Sequence, residues 1–289
     1  MLGKLLGVLK LSTLFILIQS CDAFDKEEPI PAYIQVDSVS VISGAETGSA
    51  SHDINDIWLY VDNKYIGTYE IPFKVPVLPT GNQNIALETG IRDNGLGEFR
   101  AVYPFYTSFS MDTILPEAGT LHFNPVYEYE AVNLPLLEDF EGLGNSFEKT
   151  PNSDTTMMTV SDSISFEGHS GLIVLDAERT VVDLITSQLY TLPRDRKVYL
   201  EMDYYCEELL DVGLFGQQFD GNSVIEVRYP VLKLYRTTEW RKIYINLTDQ
   251  IARSPYANQY RVFFSAEKTD ETEGRIAKIY LDNIKMIHY

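Results

Sequence analysis

The sequence is 289 residues long and carries 42 acidic against 23 basic side chains, a net charge of −19 at neutral pH. A surface that negative repels nucleic acid and anionic headgroups beyond a Debye length of about 8 Å, which excludes nucleic acid as a general partner. The length allows two domains with cores of their own, and two cysteines allow no disulfide framework.

Residues 1–20 read as a removable leader, with Lys4 and Lys10 as a basic start, an apolar run over 11–18 and the small Ser20 at the cut. The run is too short to cross about 30 Å of hydrocarbon as a helix. Ile18, Gln19, Ser20 and Cys21 resemble the lipobox of bacterial lipoproteins, which implies acylation of Cys21 and a lipid-anchored protein. Residues 21–31 read as a solvated acidic tether. Within it, Lys26-Glu27-Glu28 resembles the tag that sends Bacteroidota lipoproteins to the outer face of the outer membrane. The resemblance implies an outer-membrane, lipid-anchored protein facing the cell exterior, and a periplasm-facing anchor is the alternative. Loss of Lys4 and Lys10 takes the net charge from −19 to −21.

From the tether onward the chain reads as strands, because β-branched and aromatic residues alternate with polar ones between Gly, Pro and Asn turns. Residues 57–61 and 65–69 flank Asp62 and Asn63, which tolerate the positive φ of a tight hairpin. Pro72, Pro76 and Pro79 mark an edge or crossover, since proline cannot donate to a central ladder. Val61-Asp62, Gly67 and Leu78-Pro79-Thr80-Gly81 resemble PEGA-type modules, which implies a PEGA-like or Ig-like β-sandwich over 32–134.

The remaining residues, 135–289, alternate in the same way. Leu200, Met202, Tyr204 and Cys206 share one strand face, so Cys206 reads as a small buried hydrophobe. Asp139-Phe140-Glu141, Gly168-His169-Ser170-Gly171-Leu172, Trp240-Arg241-Lys242-Ile243-Tyr244 and Leu281-Asp282-Asn283-Ile284 resemble, in that order, the galactose-binding-like jelly roll of carbohydrate-binding modules. The expectation is therefore an all-β chain of two β-sandwich domains, the second a jelly roll. The resemblance further implies a structural Ca²⁺ between Glu141 and Asp282, with hard oxygen ligands at about 2.3–2.6 Å.

The four histidines, His52, His122, His169 and His288, show no metal-ligand spacing. Glu201 and Asp203, with Glu207 after them, approach the carboxylate motif of laminarinase-like glycoside hydrolases, but the third acid falls out of place, and the pair reads as a solvated strand face. Opposite the core, Tyr205, Arg228 and Tyr244 are the candidate ligand contacts, because flat rings meet sugar C–H groups and Arg forks to hydroxyls. Trp240 reads as a packing anchor. The expected function is non-enzymatic binding of a glycan or another cell-surface ligand. The alternatives are an accessory subunit of an envelope protein assembly for secretion, gliding or nutrient uptake, and a glycoside hydrolase.

Overall fold

The computed structural model describes residues 29–219, 221–254, 256–269 and 274–289. The leader, Cys21 and Lys26-Glu27-Glu28 lie outside them. Ten strands precede residue 130: β1 (Ala32–Val36), β2 (Ser40–Ile42), β3 (Asp56–Val61), β4 (Lys64–Glu70), β5 (Phe73–Val77), β6 (Gly81–Arg92), β7 (Arg100–Val102), β8 (Phe109–Leu115), β9 (Thr120–Phe123) and β10 (Val126–Glu128). They are called the first unit below. Eleven follow as the second: β11 (Asn133–Glu138), β12 (Phe147–Lys149), β13 (Met158–Val160), β14 (Ser170–Leu175), β15 (Val181–Thr186), β16 (Val198–Cys206), β17 (Leu210–Phe219), β18 (Val224–Leu234), β19 (Arg241–Asn246), β20 (Ala257–Glu267) and β21 (Ala277–His288). A single five-residue helix, α1 (Thr248–Ala252), is the only α-helix among the described residues. The chain is all-β.

In the first unit, Asp62 and Asn63 both take positive φ and close the β3–β4 hairpin, as two-residue turns of right-handed strands require. β4, β3, β6 and β7 form one sheet with β8 also on β6, while β5, β1 and β9 form a second and β2 pairs with β10. The proline-marked strand β5 is an edge, bonded to β1 alone. Apolar residues two places apart along their strands, such as Ile57 and Leu59 or Ile85 and Leu87, meet Ile34, Phe105 and Tyr127 in one core.

The second unit is a sandwich. Five strands in the order β12-β15-β20-β17-β18 face six, β13-β14-β21-β16-β19 with β11 on β21. Val212, Leu214 and Phe264 from one sheet pack on Leu200, Met202, Ile243 and Ile279 from the other. Cys206 lies in this core, and burial pushes its thiol up. Strand β16 alternates in sequence yet is buried on both faces along nearly its whole length. The reason is the first unit, whose Tyr103, Phe105 and Tyr106 share a core with Tyr199, Tyr244 and Ile287 of the second.

A loop of the first unit also caps the edge of the six-stranded sheet. Asp93 forms an isolated parallel bridge with Tyr244. The Asn94 N–H donates to the Tyr244 carbonyl at 3.0 Å, and the Asn94 side-chain oxygen accepts from the Asn246 N–H at 2.8 Å. Gly95 turns here at φ +71°, and a Cβ on it would stand 3.1 Å from Ile243 Cδ1. The edge of β19 thus finds partners that an open edge would lack.

Candidate functional site

The junction of the two units is built on a buried polar network. Strand β16 projects Glu201 and Asp203 to the same side, two residues apart, and β19 projects Lys242 beside them. Glu201 accepts from the Tyr103 hydroxyl through Oε1 and from the Tyr129 hydroxyl at 2.8 Å through Oε2. Asp203 accepts from Ser51 Oγ at 2.7 Å and from Asn283 Nδ2 at 3.1 Å. Asn283 reaches it because the β16–β21 register shifts between Glu201 and Asp203, where Asn283 adopts φ 49°, a bulge conformation that Asn tolerates. Lys242 Nζ lies 3.3 Å from Glu201 and 3.8 Å from Asp203. Lys285 Nζ donates to the Ser49 carbonyl at 2.7 Å and to the Tyr129 hydroxyl at 3.2 Å.

Two carboxylates thus balance two ammonium groups, as burial of charge demands. Burial lowers the Lys285 pKa to about 8, with Glu201 opposing the shift. Burial, and then the Glu201 charge, hold the phenols of Tyr103, Tyr106 and Tyr129 well above their ordinary range. The expected solvated face is therefore corrected: Glu201 is 0% and Asp203 1% exposed. Alternation along β16 identifies the outer face, but the first unit covers it. Glu201 is enclosed by phenols and Lys242 and presents no oxygen to solvent, unlike the open carboxylate pair of a glycosidase.

Where this cover ends, a cleft of about 430 Å³ opens between the units. The first unit contributes Ser51, His52, Asp53, Arg92 and Gly95; the second contributes Phe166, Asp203, Trp240, Arg241 and Lys242. The Lys242 side chain is 2% exposed and its ammonium has no hydrogen-bond acceptor among the described residues, only the two carboxylates at ion-pair range. The ammonium is sealed from the cleft, and Glu201 and Asp203 balance its charge from within. Burial lowers the His52 pKa, with Asp53 opposing and Lys242 adding to the shift. Arg92 is exposed and forms no ion pair among the described residues, and Arg241 stands 3.7 Å from Glu239 at the rim.

One wall is aromatic. Trp240 packs at 5.2 Å from Phe166, 6.2 Å from Tyr280 and 6.4 Å from Tyr205 between ring centroids. The rings are fixed from behind. The Trp240 indole N–H donates to the Ile164 carbonyl at 2.7 Å, and the Tyr280 hydroxyl donates to Asp162 at 2.9 Å. Asp162 in turn accepts from the Ile164 N–H at 2.9 Å, which holds the loop that carries Phe166.

The residues singled out from the sequence do not share one site. Tyr205 packs 6.4 Å from Trp240 behind the aromatic wall and does not line the cleft. Tyr244 points away from the sandwich core as its alternation implies, but it is 1% exposed, with its ring 4.7 Å from Tyr103 and its hydroxyl accepting from the Asp53 N–H at 3.1 Å. Its expected exposure is corrected for the same reason as that of Glu201. Arg228 lies on the opposite, five-stranded sheet, paired with Asp183 at 2.8 Å and stacked 3.9 Å over the Phe263 ring. Glu141 and Asp282 hold one turn from two sides: Glu141 accepts from the His169 N–H at 2.6 Å, and Asp282 from Ser170 Oγ at 2.8 Å and the Asn283 N–H at 2.7 Å. Burial raises the Asp282 pKa to about 7. Trp240 is both an anchor and a cleft wall. His52, Asp53 and Arg92 were missed, because nothing local to their segments signals a cleft whose other wall begins at Phe166, far along the chain.

No protein-family model and no curated protein matches the chain. Solved structures do. A carbohydrate-binding module of the β-sandwich superfamily aligns over 80% of this chain and 84% of its own, at 11% identity and a TM-score of 0.37. The family 11 module of the cellulosomal cellulase Lic26A-Cel5E of Clostridium thermocellum aligns over 55% and 97%, at 15% identity and a TM-score of 0.36. The C-terminal family 22 module of Clostridium thermocellum Xyn10B aligns over 54% and 95%, at 13% identity and a TM-score of 0.36. At these scores no ligand or residue role passes from them to this chain.

Proposed function

We propose that this chain is a non-enzymatic glycan-binding protein, lipid-anchored through Cys21 in the bacterial outer membrane and facing the cell exterior, with its ligand in the junction cleft. The observation that carries the reading is the composition of that cleft. The packed rings of Trp240 and Phe166 line one hollow together with Arg92 and His52. Rings supply flat apolar surface to sugar C–H groups, and convergent polar groups orient hydroxyls. The first unit, read as a PEGA-like spacer, would then supply half of the site.

The test uses the Cys21→Ser chain, which also reports on anchoring: acyl chains make membrane residence stable, so the substitution should move the protein from the membrane to the soluble fraction. A glycan array and titration calorimetry should find a polysaccharide whose binding weakens about tenfold in Arg92→Ala. Absence of any glycan ligand would sink the reading. The calcium expected between Glu141 and Asp282 belongs to the same proposal, although both carboxylates face N–H and O–H donors and no group of three His, Cys, Asp or Glu that could hold a metal occurs among the described residues. A melting temperature raised by calcium and lowered by chelator would support that ion, and an unchanged curve would remove it.

A second reading, a subunit of an envelope assembly, is favoured by the tip of the β17–β18 hairpin. Phe219 and Val224 pair there, 65% and 59% exposed, with Ile225 beside them, and such a patch marks a contact surface. Stoichiometric protein partners in a membrane pull-down that Phe219→Ser abolishes would support it.

A further inference from the structure

A second cleft, of about 340 Å³, adjoins the first. Tyr205, Arg236, Thr237 and Thr238 line it, whereas Tyr204, Glu239 and Trp240 line the junction cleft. The ring of Trp240 in the first lining lies 6.4 Å from that of Tyr205 in the second, so the two hollows flank one pair of rings. Between them stands a ridge of two half-buried rings, Tyr205 and Trp240, with centroids 6.4 Å apart and planes tilted by 49°. The far wall is fixed: the Thr237 N–H donates to the Cys206 carbonyl at 2.8 Å, and Thr237 Oγ1 accepts from the Cys206 N–H at 3.0 Å. The Tyr205 hydroxyl makes no hydrogen bond among the described residues, so it is left to meet a ligand.

We propose that the second cleft is a further saccharide subsite, and that the ligand is the interior of a linear glycan chain crossing the Tyr205–Trp240 ridge from one hollow to the other. The inference rests on the glycan reading and adds to it the shape of the ligand. A single sugar would fill one hollow and leave the ridge half covered. A chain lying over the ridge places saccharide on both sides, with the two rings under its middle, polar groups of Arg92 and His52 at one end and the exposed Thr238 at the other, where Arg236 is held by Glu208 and Thr269. Groups held in place before binding lose little freedom on contact, so the added subsite converts into affinity.

The experiment is calorimetry of the Cys21→Ser chain with a series from disaccharide to hexasaccharide, cut from whichever polysaccharide binds in the array. Affinity should climb at least tenfold between the shortest and the longest members. Tyr205→Ala should remove about that factor from the hexasaccharide, the size expected for one lost ring contact, and leave the shortest binding member unchanged. Thr238→Trp, an exposed position at which a large ring fills the second hollow, should do the same without touching the core. Equal affinity at every length, or hexasaccharide binding indifferent to both variants, would overturn the subsite while leaving the junction cleft in place. Absence of binding at every length would overturn both.

Discussion

The two outer faces of the second unit follow the same alternation and end in opposite environments. On the six-stranded sheet, Glu201, Asp203, Lys242 and Lys285 are covered by the first unit. Charges on the five-stranded sheet mostly stay near water: Lys233 and Asp211 pair at 3.4 Å with side chains 50% and 41% exposed, and Arg261 meets the half-exposed Glu148 at 2.8 Å. The comparison teaches that a strand pattern fixes which side chains share a face, whereas the energetics of that face depend on what lies over it. Covered charges must be matched group by group. Uncovered ones are screened and exchange freely with water.

Substitutions on the two faces should separate accordingly. Lys242→Met leaves Glu201 and Asp203 with one buried counter-charge, and should lower the unfolding free energy in guanidinium melts by about 3–5 kcal/mol, the range for breaking a buried pair. A loss below that of any surface ion pair would mean that the face is open in solution. Next in size, Tyr103→Phe removes one donor from Glu201 and should cost about 1–3 kcal/mol. The third effect is a pH slope. Lys285 is deprotonated above about 8 in the folded protein but only above about 10.4 when unfolded. Between these values the unfolded state holds the extra proton, so stability should rise with pH by about 1.4 kcal/mol per unit. The gain ends near pH 10, where phenols ionise in the unfolded state but not in the folded one. Lys285→Met should flatten that rise; a slope that survives it would assign the effect to another group. Smallest of all, Lys233→Ala on the uncovered face, which frees the exposed Asp211, should cost about 1 kcal/mol or less in a thermal melt and lose its effect at high salt.

Much of the fold was legible because its signals are local. The Asp62-Asn63 hairpin, the edge strand marked by Pro76 and the inward row from Leu200 to Cys206 each depend on a few consecutive residues. The candidate site was not legible in the same way. Glu201 and Tyr103 lie 98 positions apart, and no periodicity in 199–205 announces that tyrosines from elsewhere will cover it. Tyr205 was placed on the correct face, and its neighbour Trp240 was recognised as an anchor but not as a wall. Arg228, assigned to the same ligand surface, belongs to the other sheet, since alternation says nothing about which of two sheets a strand joins.

The final strand sits in the interior of its sheet, bonded to β14 and β11 on one side and β16 on the other. It also sends Lys285 and Ile287 into the junction, and Tyr289 beyond it packs at 5.1 Å from Phe105. Synthesis from the N-terminal end delivers this strand after both of its neighbours. Until it arrives, β14 and β16 have no neighbour between them. Such pairing rests on contacts distant in sequence, which form slowly and leave apolar strands uncovered meanwhile. A cut just before Ala277 would remove the middle of one sheet and part of the seal between the two units together.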